Sequence, residues 1–187
     1  MAVSILDLSK EQEEFFEYLS LFNKLVKEGI INPKELYPNN DESKYLSIGE
    51  KTRLLVAVED NLITGISSYD ILSEIESDNL NKNLNEHFGP FYYKRKIVEK
   101  LPFSGITNLG QYQGKGYISE SRSMHSFKKG VGSLLHNTLQ SRQDIEGILL
   151  WTESDVTGFH EKNGFKKTNI YSPTRNLELM TWINPQN

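Results

Sequence analysis

Apolar and polar residues alternate from Val3 to Leu8, with Val3 and Ile5 leading the apolar set, and this predicts a short strand. Ser9 and Gln12 form a capping-box pair. Behind them Phe15, Leu19, Phe22 and Val26 recur at helical spacing, so a helix is expected from about Lys10 to Lys27, stopped by Gly29 and Pro33. Residues 32–52 are polar and turn-rich, with the clearest break at Pro38-Asn39-Asn40-Asp41. Leu54 to Val58 reads as a buried strand, Glu59-Asp60-Asn61 as a turn, and Leu62 to Tyr69 as the returning strand of an antiparallel hairpin.

The stretch from Asp70 to Gln113 breaks this regularity. It holds a weak helical segment (Ile71, Ile75, Leu80), then the aromatic run Phe88, Phe91, Tyr92 and Tyr93, then Pro102 among glycines. Its aromatic content favours a packed insert over disorder. From Tyr117 to Met124 a strand enters a glycine turn, and Val131, Leu134, Leu135 and Leu139 line one face of the helix that follows. Ile148 to Trp151 is a short buried strand. Thr152 or Asp155 is placed to cap a brief helix that stops at Asn163-Gly164. Phe165 to Tyr171 and Leu177 to Ile183 read as a terminal hairpin around Ser172-Pro173-Thr174. Trp151, Phe15 and Phe16 are expected in the core, and His136 on the polar surface of its helix.

The expected architecture is a single α/β domain over residues 1–187, with a mixed, mainly antiparallel sheet flanked by helices and an insert at about 70–113. Cysteine is absent, which excludes disulfides, zinc–thiolate sites and a cysteine nucleophile. The histidines show no metal-ligand spacing, so no metal is expected. A net charge of −4 with both signs interspersed argues against a nucleic-acid partner. The longest apolar runs are too short to span a bilayer and no charged-then-apolar leader opens the chain, so a cytoplasmic protein without a membrane partner is expected.

The candidate chemistry gathers in the last 70 residues. Phe127-Lys128-Lys129-Gly130-Val131-Gly132-Ser133 carries two glycines where a strand becomes a helix. The first amides of a helix lack intrahelical partners and the helix dipole favours an anion there, which points to a phosphate-bearing ligand. A glycine pair also serves any strand-to-helix turn, and Gly130-Val131-Gly132 lacks the spaced Gly-Lys-Ser/Thr of a nucleotide P-loop.

With Phe159-His160-Glu161-Lys162-Asn163-Gly164-Phe165 as a second block, this region resembles the GNAT acetyltransferase superfamily. Its turn has the form Q/R-x-x-G-x-G/A and its second block is commonly F-Y-E-K-x-G-F. Phe127 stands in place of the usual Gln or Arg, and His160 in place of the tyrosine many members carry. The resemblance implies acetyl-CoA as co-substrate and direct attack by a primary amine of undefined size. It also implies that Phe127 to Ser133, Ser121, Arg122, Ser123 and Phe159 contact the cofactor, with Lys128 or Lys129 replacing the missing charge. Glu120 is then the candidate base, its alternative being an exposed strand carboxylate. His160 is the candidate acid toward the leaving thiolate, its alternative being a partner of the helix dipole. Two other classes remain: a catalytically idle acyl-CoA-binding module, and an interaction protein, a homodimer among its forms, with a purely structural glycine turn.

Overall fold

A computed structural model of the chain describes residues 2–31, 46, 48, 52–71, 117–171 and 177–185. The side chains of Tyr117, Ile118, Glu120, Arg122, Glu146 and Ile170 are not among the described parts. The described elements run β1 (Ser4–Leu8), α1 (Glu13–Lys27), β2 (Arg53–Glu59), β3 (Leu62–Ile71), β4 (Tyr117–Ser126), α2 (Val131–Gln140), β5 (Ile145–Glu153), α3 (Thr157–Lys162), β6 (Lys166–Tyr171) and β7 (Leu177–Ile183). By backbone contacts they divide into two compact units, Met1–Asp70 with Ser121–Leu139, and Ile71–Glu120 with Gln140–Asn187. The expected turn-rich stretch at 32–52 lies almost wholly outside the described residues. So do all but the first two residues of the 70–113 insert, with its aromatic run, and the Ser172-Pro173-Thr174 turn.

In the first unit, strands neighbour one another in the order β1-β2-β3-β4, with β1–β2 and β2–β3 antiparallel. The β2–β3 connection is a two-residue turn in which Asp60 (φ 50°) and Asn61 (φ 63°) are both left-handed. Short polar side chains tolerate that conformation, and the resulting turn matches the twist of a hairpin. The α1 stripe packs on this sheet: Phe15 and Phe22 are fully buried with Leu8, Leu54, Val56, Ile63 and Ile66. Burying each phenyl ring contributes roughly 1.5–3 kcal/mol.

Two details of α1 depart from the expectation. The helix begins at Glu13, not Lys10, because Ser9 to Gln12 closes a turn in which the Gln12 amide N–H donates to the Ser9 carbonyl at 3.1 Å. Half of the capping box survives, the Ser9 N–H donating to Gln12 Oε1 at 2.7 Å. Phe16 is 56% exposed: one residue past Phe15 is about 100° around the helix, off the buried stripe. The end is as expected. Gly29 (φ 68°) follows Glu28, and the amides of Gly29 and Ile30 return to the carbonyls of Val26 and Leu25, a Schellman stop.

Strand β4 buries Ser119, Ser121, Ser123 and His125 at every second position. Neighbours engage Ser123 and His125. Ser68 Oγ and Ser123 Oγ share a 2.5 Å hydrogen bond, Ser67 Oγ donates to the Ser123 carbonyl, and His125 stacks on Phe22 with centroids 5.6 Å apart. Helix α2 buries Val131, Gly132, Leu135, His136 and Leu139. His136 is therefore interior rather than superficial, and Leu134 is only half-buried. The buried face combines two adjacent i, i+4 rows (131/135 and 132/136) and is wider than a single stripe.

The second unit holds β5-β7-β6, antiparallel throughout. Thr152 lies within β5 and is buried, and Asp155 is in the following turn. Neither caps α3, which starts after Val156 without a side-chain cap, while Thr157 Oγ1 donates to the Ser154 carbonyl. Trp151 is half-buried. The α3 stop is a complete Schellman motif: Gly164 (φ 85°) donates to Glu161 O at 3.0 Å and Phe165 to His160 O at 3.1 Å. No helix among the described residues is long and apolar enough to cross a membrane.

Candidate functional site

The junction of β4 and α2 is built by a few specific bonds. The Phe127 amide donates to the Thr64 carbonyl of β3 at 2.9 Å, which fixes the strand's exit. The Phe127 ring packs against the core and stacks with Phe22 at 6.2 Å. Gly130 then reverses the chain at φ 88°, a conformation L side chains rarely adopt, and no atom lies within 4 Å of where its Cβ would be. The helix opens with Val131 N–H on the Lys128 carbonyl at 3.2 Å, and Leu134 N–H on the Gly130 carbonyl at 3.1 Å.

Ser126 shapes this turn and was missed by reading the glycine pair alone. Its hydroxyl donates to the Lys128 carbonyl at 3.0 Å and accepts the Gly132 N–H at 3.1 Å. One amide expected at an anion is thus already occupied. The N–H groups of Lys129, Gly130 and Ser133 have no hydrogen-bond partner among the described residues. The signal for Ser126 was a serine just before a helix-opening turn, a common capping residue.

The two lysines differ. Lys128 Nζ bonds Glu59 Oε2 at 2.5 Å, a partner 69 residues away. The bond to Lys128 holds the half-buried Glu59 carboxyl below its ordinary pKa, with desolvation opposing it. Lys129 is exposed and carries no ion pair among the described residues. The helix itself is seated by Gly65 of β3: a Cβ there would stand 2.5 Å from Val131 Cγ1 and 3.2 Å from both Leu135 Cδ1 and the His125 carbonyl.

The first unit therefore gathers Ser121, Ser123, Phe127, Lys128, Lys129, Gly130, Val131, Gly132 and Ser133, together with the backbone of Arg122. Ser121 and Ser123 turn their side chains into the interior, whereas Ser133 is half-buried. Such an arrangement suits an anion held by main-chain amides and the exposed Lys129 ammonium.

The second unit contains Glu120, Phe159 and His160. Glu120 is on β4, its side chain outside the described parts. His160 is 8% exposed and sits between the edges of Phe159 (5.1 Å) and Phe165 (5.9 Å), the latter being the apolar contact of the Schellman stop. Desolvation pushes its pKa down to about 4, so the imidazole is neutral at pH 7.

No protein-family model and no curated protein sequence matches the chain. Solved structures do. NAA60 of Arabidopsis thaliana in complex with acetyl-CoA is 9% identical, over 97% of this chain and 98% of that one, with a TM-score of 0.53. An acetyltransferase of the GNAT family from Staphylococcus aureus Mu50 is 15% identical, over 98% and 99%, at 0.50. FeeM, an N-acyl amino acid synthase from uncultured soil microbes, is 8% identical, over 99% and 93%, at 0.53. The chain carries the GNAT fold.

Proposed function

We propose that this protein is an N-acetyltransferase that transfers the acetyl group of acetyl-CoA to a primary amine by direct attack. The observation that carries the reading is the β4–α2 turn, where three amides with no partner among the described residues and the exposed Lys129 flank a glycine at positive φ, in a chain of GNAT fold. These groups fit a pyrophosphate. Gly130 leaves room for close approach, the α2 dipole favours negative charge, and Lys129 adds an exposed cation. The likeness to structures such as NAA60, solved with acetyl-CoA, supports the same ligand here.

Acetyl-CoA supplies an activated acyl group on a thiol leaving group. The protein's own tasks are to hold that ligand, take a proton from the amine and offer a donor to the departing sulfur. Lys129, Gly130 and Ser133 hold the phosphates, the β4 backbone at Ser121 to Ser123 offers donors to the acyl carbonyl, and Glu120 takes the proton. His160, neutral at working pH, offers an imidazole N–H rather than an imidazolium.

Calorimetric titration with acetyl-CoA tests the binding step. Micromolar affinity in the wild type, lost in a folded Gly132→Glu variant that places a carboxylate at the helix start, is the expected result. Turnover is read from free thiol: with no cysteine in the chain, a thiol reagent reports only released CoA. An absence of acetyl-CoA binding refutes the reading. Binding without thiol release on a broad amine panel replaces it with an acyl-CoA-binding module.

A further inference from the structure

In β7 one residue breaks an otherwise neutral strand: Leu177-Glu178-Leu179-Met180-Thr181-Trp182-Ile183. Glu178 is 4% exposed, and its Oε1 is buried with no hydrogen-bond partner among the described residues. An unsatisfied buried carboxylate oxygen is costly and needs a reason to persist. Its neighbours do not supply one. Across the ladder, Glu178 is registered with Thr152 of β5 on one side and Tyr171 of β6 on the other. Residues directly opposite on antiparallel strands share a face, so a hydroxyl and an aromatic ring flank the carboxylate. Thr152 Oγ1 is directed to the Glu153 carbonyl at 3.4 Å and not to Glu178.

The strand beside it is also interrupted. Lys167 pairs with Met180 and Tyr171 with Glu178, so Thr168, Asn169 and Ile170 face Leu179 alone. Asn169 takes φ 58°, and the Thr168 hydroxyl donates to the Leu179 carbonyl at 2.8 Å. The β6–β7 ladder thus opens next to Glu178 and resumes at it, an irregularity of the kind that re-aims strand residues beside functional sites. Tyr171, where pairing resumes, is 56% exposed.

We infer that Glu178, flanked by Thr152 and Tyr171, receives the ammonium group of the acceptor, so that the acceptor class is an alkylammonium compound presenting N–H donors. An ammonium is the complement of this setting, since it supplies positive charge and a donor to a carboxylate oxygen that has no hydrogen-bond partner among the described residues. The exposed Tyr171 opposite it adds an aromatic ring, whose face attracts cations. The inference rests on the acetyltransferase reading for the ligand's role, while the geometry of the site stands apart from it.

The test uses the full chain labelled with carbon-13 at the glutamate carboxyls, with the Glu178 resonance assigned through its side-chain connectivities. Titration with n-butylammonium is expected to shift that resonance saturably, and tetramethylammonium, which has no N–H, to leave it unmoved. A Glu178 signal that ignores n-butylammonium, or responds equally to both cations, overturns the proposal. In turnover with n-butylammonium as acceptor, Glu178→Gln is expected to lower kcat/KM by about ten- to hundredfold with the acetyl-CoA Kd unchanged. An unchanged kcat/KM also overturns it. If acetyl-CoA fails to bind while n-butylammonium still shifts Glu178, the acetyltransferase reading falls and the amine site stands.

Discussion

Gly65→Ala is the most direct probe of how the fold holds the turn proposed to bind the anion. The added Cβ would lie 2.5 Å from Val131 Cγ1, closer than real Cβ contacts come, so those two atoms must separate by roughly 1 Å. Val131 has little freedom to yield. It is 3% exposed, and as a β-branched residue in a helix it has one strongly preferred χ1 rotamer. The new methyl also stands 3.2 Å from Leu135 Cδ1 and from the His125 carbonyl, so α2 itself must lift from β3. Overpacking of this kind costs about 1–3 kcal/mol, or roughly 2–12 °C in Tm for a chain of this size. Urea unfolding of the wild type, Gly65→Ala, Val131→Ala and the double variant measures it. Val131→Ala alone loses buried methyls, about 2 kcal/mol. In the Gly65→Ala background it also removes the clash, giving a coupling of about 1 kcal/mol or more. Because Gly130 immediately precedes α2, acetyl-CoA affinity should fall in Gly65→Ala and recover in the double variant. A neutral single substitution, or strictly additive energies, would refute this account of how the turn is positioned.

Three further outcomes follow from the bonds described. His160 has a folded pKa of about 4 against about 6.5 when unfolded, so the unfolded chain takes up the proton first on acidification. The contribution of neutral His160 is therefore complete above about pH 6.5 and lost as pH falls toward 4. It amounts to at most about 3 kcal/mol, visible as a shallower acid loss of stability in His160→Gln, and an imidazole NMR midpoint near 6.5 would contradict it. Lys129→Glu should weaken acetyl-CoA binding about fivefold or more in a salt-dependent way, and more than Lys128→Ala, whose ammonium is engaged by Glu59; the reverse order by calorimetry would reassign the phosphate contact. Ser126→Ala should cost about 1 kcal/mol in urea unfolding by removing the acceptor of the Gly132 N–H, without weakening acetyl-CoA binding, since that amide becomes available to the anion.

What could be read from the chain was what its local chemistry decides. The i, i+4 row from Phe15 to Val26, the Asp60-Asn61 turn and the Asn163-Gly164 stop each depend on residues within a few positions, and each stands where expected. The elements that differ depend on partners far along the chain. Ser121 and Ser123 look solvent-facing in isolation and are buried, with Ser123 bonded to Ser67 and Ser68 more than 50 residues away. A single apolar stripe places His136 on the surface, whereas the helix buries two rows and His136 with them. At the candidate site, the turn and its glycine were legible, whereas the capture of Lys128 by Glu59 has no local signature.

That division bears on how the site would evolve and how it should be perturbed. Of the groups at the turn, the Gly132 amide is committed to Ser126 and the Lys128 ammonium to Glu59. Among the described residues, main-chain N–H at Lys129, Gly130 and Ser133 and the Lys129 side chain are left for an anion. Main-chain donors are indifferent to side-chain identity but sensitive to where the backbone stands. Phe127 fits this logic. It occupies the place of a polar residue in the family pattern, yet its amide anchors β4 to Thr64 and its ring stacks on Phe22, so it serves the backbone's position instead of touching the ligand by charge. Substitutions that shift the α2 start, at Gly65 above all, should therefore damage anion binding more than polar-to-neutral changes along the turn itself.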